Sequence, residues 1–203
     1  MALNHQLPSL KKEDERRMEL QHVNVKITVD GDLAVDPGRF IDVFHRWIRE
    51  GVIEGLLIDV ADYRHVPHGP GVMLIGFDSD YSIDNVGGNW GMLYNHKSPL
   101  EGSNDDRLSV ALKSAVKACT LLEAEFADDG LKFSRQRFEL FINDRALAPN
   151  TDETWDACQP ILQSFLSTTL GHDEFELQRE SEPRRRFGVT VESKQPLDFD
   201  ALA

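Results

Sequence analysis

The chain of 203 residues contains only two cysteines, Cys119 and Cys158. Each falls on the apolar side of a predicted helix, which favours two buried free thiols. Two cysteines in such positions do not form the disulfide framework of a small secreted protein. A nucleophilic cysteine would need exposure and a neighbouring base, and the pattern indicates neither.

Long apolar runs and excess positive charge are also missing. No run approaches the roughly 20 apolar residues of a membrane helix, and the first residues lack the apolar segment of a secretory signal. Lys and Arg number 22 against 35 Asp and Glu, which gives a net charge of −13. This charge repels nucleic-acid phosphate and anionic lipid. We therefore expect a cytoplasmic protein without a nucleic-acid or membrane partner.

Signatures of common catalytic sites are absent from the sequence. It has no G-x-S-x-G, H-E-x-x-H or phosphate-binding G-x-x-x-x-G-K-[ST] motif, and no S-x-x-K motif with its partners. Catalytic groups can lie far apart in a sequence, so whether the chain is an enzyme stays open.

What the sequence does contain is regular hydrophobic patterning. Val23, Val25, Ile27 and Val29 alternate with polar residues and predict a half-buried strand. Three helices are predicted after Asp36-Pro37, Ser103–Asp106 and Thr151, each of which is a start signal. The apolar run 56–60 is typical of a central strand. Further strands are predicted at 72–77, 79–85, 90–95, 138–142, 175–179 and 187–192.

Strands mixed with three main helices predict an α+β protein, a two-layer sandwich with a mixed or antiparallel sheet. Residues 20–194 would form one domain, between a disordered or frayed tail at 1–19 and a loose tail at 195–203. Segments 23–76 and 138–193 share the order β-α-β-β, with 77–137 as an insert. This pattern predicts an internal repeat whose two halves are pseudo-symmetric.

A possible metal site is the pair His65-x-x-His68 with Asp62 shortly before it. Imidazole and carboxylate groups together bind zinc or iron. The alternative is that both histidines cap a turn stiffened by proline. A metal-dependent, hydrolase-like enzyme with a divalent cation is therefore the second hypothesis, whereas the first predicts no cofactor.

Acidic residues recur at Asp78, Asp80 and Asp84, with a spacing similar to part of a calcium-binding loop. Counted from Asp78, positions 6 and 12 hold Ile83 and Asn89 where such a loop needs glycine and glutamate. We therefore expect the solvent face of a β-hairpin.

Basic residues cluster at two predicted turns, Arg64-His65 and Arg184-Arg185-Arg186. These turns occupy matching positions in the predicted repeat, so they could converge on an anion or an acidic partner. The alternative is that they are solvated, or that the arginines pair with Glu180 and Glu182.

Aromatic residues with polar tips, Tyr81, Trp90 and Tyr94, lie close to Gly87 and Gly88 in a predicted hairpin. Such residues are typical of contact surfaces. The first functional hypothesis is therefore a non-enzymatic binding or interaction protein that uses region 62–96. Its partner would be a protein or a small-molecule ligand, and it would form a homodimer.

Overall fold

The computed structural model describes residues 18–202 and contains a single sheet of eight strands. Every neighbouring pair of strands is antiparallel, in the order β2-β3-β4-β5-β1-β6-β8-β7. The α+β class is therefore confirmed. The strands are β1 (Val23–Val29), β2 (Leu57–Tyr63), β3 (Gly71–Gly76), β4 (Ser79–Asp84), β5 (Gly91–His96), β6 (Phe133–Ile142), β7 (Phe175–Arg179) and β8 (Gly188–Ser193).

Local capping chemistry sets the ends of the longer helices. The side chain of Ser103 accepts a hydrogen bond from the backbone N–H of Asp106, whose carboxylate accepts one from Ser103 in return. The Thr151 side chain caps the third helix. Gly51 ends the first helix with φ at 63°, a left-handed conformation that glycine adopts readily. The helices are α1 (Arg39–Glu50), α2 (Asn104–Glu125), α3 (Asp152–Leu170) and the short α4 (Phe199–Leu202).

The hydrophobic core lies between the helices and one face of the sheet. Val25 and Ile27 of β1 are fully buried, and α2 packs on β1 and β5. Alternate residues of a strand point to opposite faces, so Lys26 of β1 and Asp84 of β4 point away from this core. We call the side of the sheet that carries these two residues the polar face.

The strand predicted to be central, β2, lies instead at an edge of the sheet, so that prediction is wrong. Its one neighbouring strand in the described chain is β3. Leu57 and Val60 pack against the core, whereas Leu56 and Ile58 are 65% and 56% exposed. A continuous apolar run indicates a strand but does not show how many neighbours that strand has.

The segment after Gln195, expected to be loose, is packed against the rest of the protein. Leu197, Phe199 and Leu202 are all buried, and α4 contacts α2. The guanidinium of Arg135 lies 3.5 Å from the centre of the Phe199 ring. The three apolar side chains supply the hydrophobic contact that fixes this segment.

The predicted repeat stays a prediction. In the second segment β6, β8 and β7 are neighbours, whereas the β4–β5 hairpin separates β1 from β3 and β2 in the first. The predicted N-terminal tail lies outside the described residues except for 18 and 19. Among residues 18–202, no helix has the length and apolar character needed to cross a bilayer.

Candidate functional site

A buried ion pair lies at the centre of the polar face. Lys26 of β1 and Asp84 at the end of β4 approach to 2.5 Å between Nζ and Oδ1, with side chains only 4% and 3% exposed. The Lys26 ammonium also donates to the backbone carbonyl of Val86 at 3.1 Å. A buried charge persists only when it is paired and hydrogen-bonded, and these contacts meet that condition.

A second lysine neutralises the other acid of β4. Lys97 donates to Asp80 Oδ1 at 2.7 Å, and Asn95 donates to its second oxygen at 3.3 Å. Asp80, Ser82 and Asp84 are all buried, so the prediction that they form the solvent face of a hairpin is wrong. The alternating residues do form a strand, β4, but Lys26 and Lys97 cover its polar side.

A cavity of about 250 Å³ opens above Lys26 on the polar face. The loop between β7 and β8 and the segment after β6 form its outer wall. Five cationic and three carboxylate side chains line it, in a protein whose net charge is −13. We call it the arginine cleft; its lining is Lys26, Asp84, Val86, Leu93, Glu139, Phe141, Arg145, Glu180, Arg184, Arg185 and Arg186.

The positive charge of the arginine cleft is only partly neutralised. Lys26 pairs with Asp84, and Arg185 pairs with Glu180 at 3.1 Å. Within residues 18–202, Arg145, Arg184 and Arg186 make no ion pair. The local field of the cleft therefore favours an anion.

Among the three arginines without an ion pair, Arg186 has the most defined contacts. Its Nη1 donates to Asn143 Oδ1 at 3.0 Å, and its guanidinium lies 5.4 Å from the centre of the Phe141 ring, within the range of a cation–π contact. Burial is the main cause that lowers the pKa of Arg186; the positive charge of Arg145 lowers it further, while Asp84 raises it. Arg186 is thus a partly buried cation whose orientation is set by Asn143 and Phe141.

The two basic turns predicted to converge have different surroundings. Arg64 forms two hydrogen bonds to the Asp62 carboxylate, at 2.9 and 2.8 Å, and lies 3.7 Å from Asp36. The 184–186 arginines line the cleft on the polar face. In the part of the chain that the structure describes, no hydrogen bond, ion pair or cavity joins Arg64 to these arginines.

His65 and His68, the candidate metal ligands, lie exposed in the turn between β2 and β3. Hydrogen bonds from the Arg64 side chain and backbone lower the pKa of Asp62 to about 2, so its carboxylate is already engaged. No group of three His, Cys, Asp or Glu side chains between residues 18 and 202 is arranged to hold a metal ion. The metal-dependent enzyme therefore gains no support from this turn.

The predicted contact residues Tyr81 and Tyr94 lie in the core, only 4% and 3% exposed. Their rings pack edge to face with centres 5.2 Å apart. Burial raises the pKa of Tyr81 to about 12, against the opposing effect of hydrogen bonds with Ser114 and Ser79. In this fold both rings stabilise the packing of the hairpin and do not present a surface for a partner.

This burial has a consequence at alkaline pH. The folded-state pKa of Tyr81 is raised from 10.0 to about 12. The neutral hydroxyl therefore contributes its full share to the free energy of unfolding below pH 10, and this contribution is lost as the pH rises towards 12. Between about pH 8 and pH 11.5, denaturant unfolding should show the wild type losing roughly 2 kcal/mol more than Tyr81→Phe. Tyr63→Phe, at a ring that is 40% exposed, is the control and should follow the wild type. Equal losses in all three proteins would contradict the assignment.

Trp90 is half-buried and lies at a different place from the tyrosines. It lines a separate, largely polar cavity of about 280 Å³ with Asp32 and Arg137. Its backbone carbonyl accepts a hydrogen bond from Val29 at 2.9 Å, so it also closes the end of the β1–β5 pair.

Both cysteines are buried, as predicted. Burial raises the pKa of Cys158 to about 11, and burial together with nearby Glu123 raises that of Cys119 well above its ordinary value. Both thiols are therefore protonated at neutral pH and are poor nucleophiles.

Sequence reasoning did not identify three charged residues of the cleft, Lys26, Glu139 and Arg145. The position of Lys26 could have been identified, because it alternates with the apolar residues of β1. A lysine on the polar side of a strand becomes buried when that strand lies in the interior of the sheet. Glu139 faces Lys26 directly across the β1–β6 pair, a relation that depends on strand order. Arg145 joins the cleft through a loop, and local sequence carries no signal for that placement.

The chain matches no model of a known protein family, and comparison with curated proteins finds no significant match.

Proposed function

We propose that this protein is a non-enzymatic binding module that holds a small organic molecule carrying a phosphate group in the arginine cleft. The observation that carries the proposal is the partly buried guanidinium of Arg186, which Asn143 and Phe141 hold in the cleft beside Arg145 and which has no ion-pair partner in residues 18–202. An anion stabilises a partly buried cation that has no other counter-charge. A bound phosphate would supply that counter-charge.

The class of ligand follows from the chemistry of the lining. Guanidinium groups offer paired N–H donors that match the oxygens of a phosphate. Val86, Leu93 and Phe141 add apolar surface beside them, which suits a ligand with an organic part. The volume of about 250 Å³ lies just below the roughly 300 to 1,000 Å³ of common ligand sites, so we expect a small metabolite.

Binding rather than catalysis is supported by the state of the reactive groups. The Lys26 amine is engaged by Asp84 and by the carbonyl of Val86, and neither cysteine lines the cleft. Region 62–96, expected to carry the binding surface, contributes Asp84, Val86 and Leu93 to the cleft. The proposal thus retains that region and adds the 184–186 arginines to it.

Titration calorimetry with phenyl phosphate and with inorganic phosphate tests the proposal. Phenyl phosphate should bind the wild type more tightly than inorganic phosphate, because its ring can contact the apolar lining. Arg186→Gln and Arg145→Gln should each weaken binding of phenyl phosphate about tenfold or more, since each removes a charged hydrogen-bond donor. Arg145 is exposed, so its replacement leaves the core intact.

Two matched variants separate this site from general charge effects. Arg49→Gln removes an exposed arginine of α1 that does not line the cleft and should leave the affinity unchanged. Arg186→Lys keeps the charge without the planar fork and should bind with intermediate affinity. Absence of binding by the wild type at millimolar ligand, or equal losses in Arg49→Gln and Arg186→Gln, would overturn the proposal.

A further inference from the structure

A second cavity adjoins the arginine cleft on the polar face. Its volume is about 300 Å³, and five residues line both cavities, so the two form one continuous depression. The shared residues are Val86, Glu139, Phe141, Glu180 and Arg185. We call the second cavity the side pocket; the residues that it adds to the cleft include Asn89, Arg137, Gln178, Ser181 and Thr190. The two cavities together exceed the roughly 300 Å³ at which common ligand sites begin, whereas the cleft by itself does not.

Strand pairing gives the two cavities a common floor. Lys26 of β1 lies opposite Glu139 of β6, and Glu139 lies opposite Thr190 of β8. Thr190 in turn lies opposite Gln178 of β7. Residues that are directly opposite on paired strands point to the same face of the sheet. Since neighbouring strands are about 4.8 Å apart, the floor runs about 10 Å from the lysine in the cleft to the threonine in the side pocket.

The chemistry of this floor changes from one end to the other. Arginines surround the end in the cleft, whereas the end in the side pocket carries a hydroxyl and an amide, those of Thr190 and Gln178. Asn89 and Ser181 add another amide and another hydroxyl to the side pocket. Hydroxyl and amide groups both donate and accept hydrogen bonds, so they match ligand hydroxyl groups, which do the same.

Glu139 lies half-buried where the two cavities meet. Within residues 18–202 its carboxylate makes no ion pair and no hydrogen bond. The other carboxylate shared by both cavities, Glu180, is held by Arg185 at 3.1 Å. A carboxylate accepts hydrogen bonds and donates none, and it repels a phosphate. Glu139 therefore favours a hydrogen-bond donor of the ligand at this point, next to the phosphate but not the phosphate itself.

We propose that the ligand is a sugar phosphate, with its phosphate in the arginine cleft and its hydroxyl groups in the side pocket. The assignment rests on the proposed phosphate site at Arg145 and Arg186 and names the organic part of the ligand bound there. Two adjacent hydroxyls of a sugar can each donate a hydrogen bond to one oxygen of Glu139. Further hydroxyls then lie beside Thr190 and Gln178.

Charge balance favours a neutral organic part over a cationic one. Among residues 18–202, the charged side chains of the two cavities that make no ion pair are three arginines and one carboxylate, which leaves two positive charges. They are Arg145, Arg184, Arg186 and Glu139. A phosphate group carries about −1.5 to −2 at pH 7 and matches these charges by itself. An ammonium group on the same ligand would leave part of the positive charge of the site without compensation.

Titration calorimetry with glucose 6-phosphate, ribose 5-phosphate, phosphoethanolamine and phenyl phosphate tests the proposal. At least one of the two sugar phosphates should bind the wild type about tenfold or more tightly than phenyl phosphate, because hydrogen bonds to a charged group such as Glu139 are the stronger kind. Phosphoethanolamine should bind no more tightly than phenyl phosphate. Phenyl phosphate has no hydroxyl on its ring, so its affinity reports on the cleft and separates failure of the phosphate site from failure of the side pocket.

Two variants test the floor of the side pocket. Thr190→Val keeps the shape of the side chain and removes its hydroxyl; it should weaken the tighter-binding sugar phosphate about fivefold and leave phenyl phosphate unchanged. Glu139→Gln should lower the ratio of the sugar phosphate affinity to the phenyl phosphate affinity about fivefold or more, since removal of the repulsion of the phosphate affects both ligands alike. Thr168→Val, at an exposed threonine of α3 that lines neither cavity, is the matched control and should change neither affinity.

The binding of phenyl phosphate also shows that each variant is folded. Sugar phosphates that bind no more tightly than phenyl phosphate, or equal losses of both ligands in Thr190→Val, would overturn the side pocket and leave the phosphate site in place. Phosphoethanolamine that binds more tightly than either sugar phosphate would make Glu139 the partner of an ammonium group and would overturn the proposal as well. Failure of the wild type to bind any of the four ligands would overturn the phosphate site itself.

Discussion

Asp84→Leu is expected to lower the free energy of unfolding by roughly 3–5 kcal/mol, because it leaves the buried ammonium of Lys26 without its counter-charge. Asp84 contacts that ammonium at 2.5 Å, and its own side chain is 3% exposed. It also accepts a hydrogen bond from the backbone of Val86 at 3.1 Å. Denaturant unfolding at neutral pH measures the loss.

The double variant Lys26→Met/Asp84→Leu is the informative comparison. Apolar residues of similar volume in place of a buried ion pair are often neutral or stabilising, so the double variant should recover most of the stability lost in Asp84→Leu. Asp78→Leu, at an exposed acid just before β4, should change stability by less than about 1 kcal/mol. Lys26→Met alone completes the comparison. A loss in the double variant as large as the sum of the losses in Lys26→Met and Asp84→Leu would show that the pair is not coupled.

Phe199→Ala is expected to destabilise the protein by roughly 3–5 kcal/mol, the usual cost of deleting a buried phenyl ring from a core. Phe199 is 4% exposed and receives the Arg135 guanidinium over its ring. Arg135 in turn binds both oxygens of Glu123, at 3.0 and 2.7 Å. Loss of the ring therefore weakens an anchor that connects the C-terminal segment, β6 and α2.

Asp200→Ala is the matched control for this segment, since Asp200 is adjacent to Phe199 but exposed. Its melting temperature should stay close to that of the wild type. Termination of the chain after Pro196 removes Leu197, Phe199 and Leu202 together and should cost at least as much as Phe199→Ala. Wild-type stability in the truncated protein would mean that the segment does not contribute to the core.

The elements that were predictable from sequence are those governed by local chemistry. The strand at β1 and the Ser103 capping box depend on neighbouring residues, and the structure has both. The prediction that β1 is half-buried is wrong, because its polar residues Asn24 and Lys26 are buried as well. Strand order depends on pairing between distant segments. The apolar run of β2 therefore indicated a strand correctly and its central position wrongly.

The arginine cleft was only partly predictable for the same reason. The cluster Arg184–Arg186 was visible as a dense basic turn, and an anion was a reasonable expectation for it. Its neighbours Lys26 and Glu139 come from strands more than forty residues away in the sequence, brought there by sheet pairing. Tyr81 and Asp84 lie on opposite faces of β4, and both are buried. Their burial depends on residues of other strands, Tyr94 and Lys26, that pack on each face.

The position of β1 affects the order in which this protein can fold. β1 is the first of the described strands but lies near the middle of the sheet, where it pairs with both β5 and β6. Its pairing with β6 joins Val23 to Ile142, and contacts so distant in sequence form slowly because a long loop must close first. During synthesis β1 can pair with β5 early, while its other side stays unpaired until β6 has emerged from the ribosome. Until β6 emerges, β1 is therefore an exposed edge of the sheet, although it is an interior strand in the native protein. We expect the newly made chain to be most prone to aggregation at this stage.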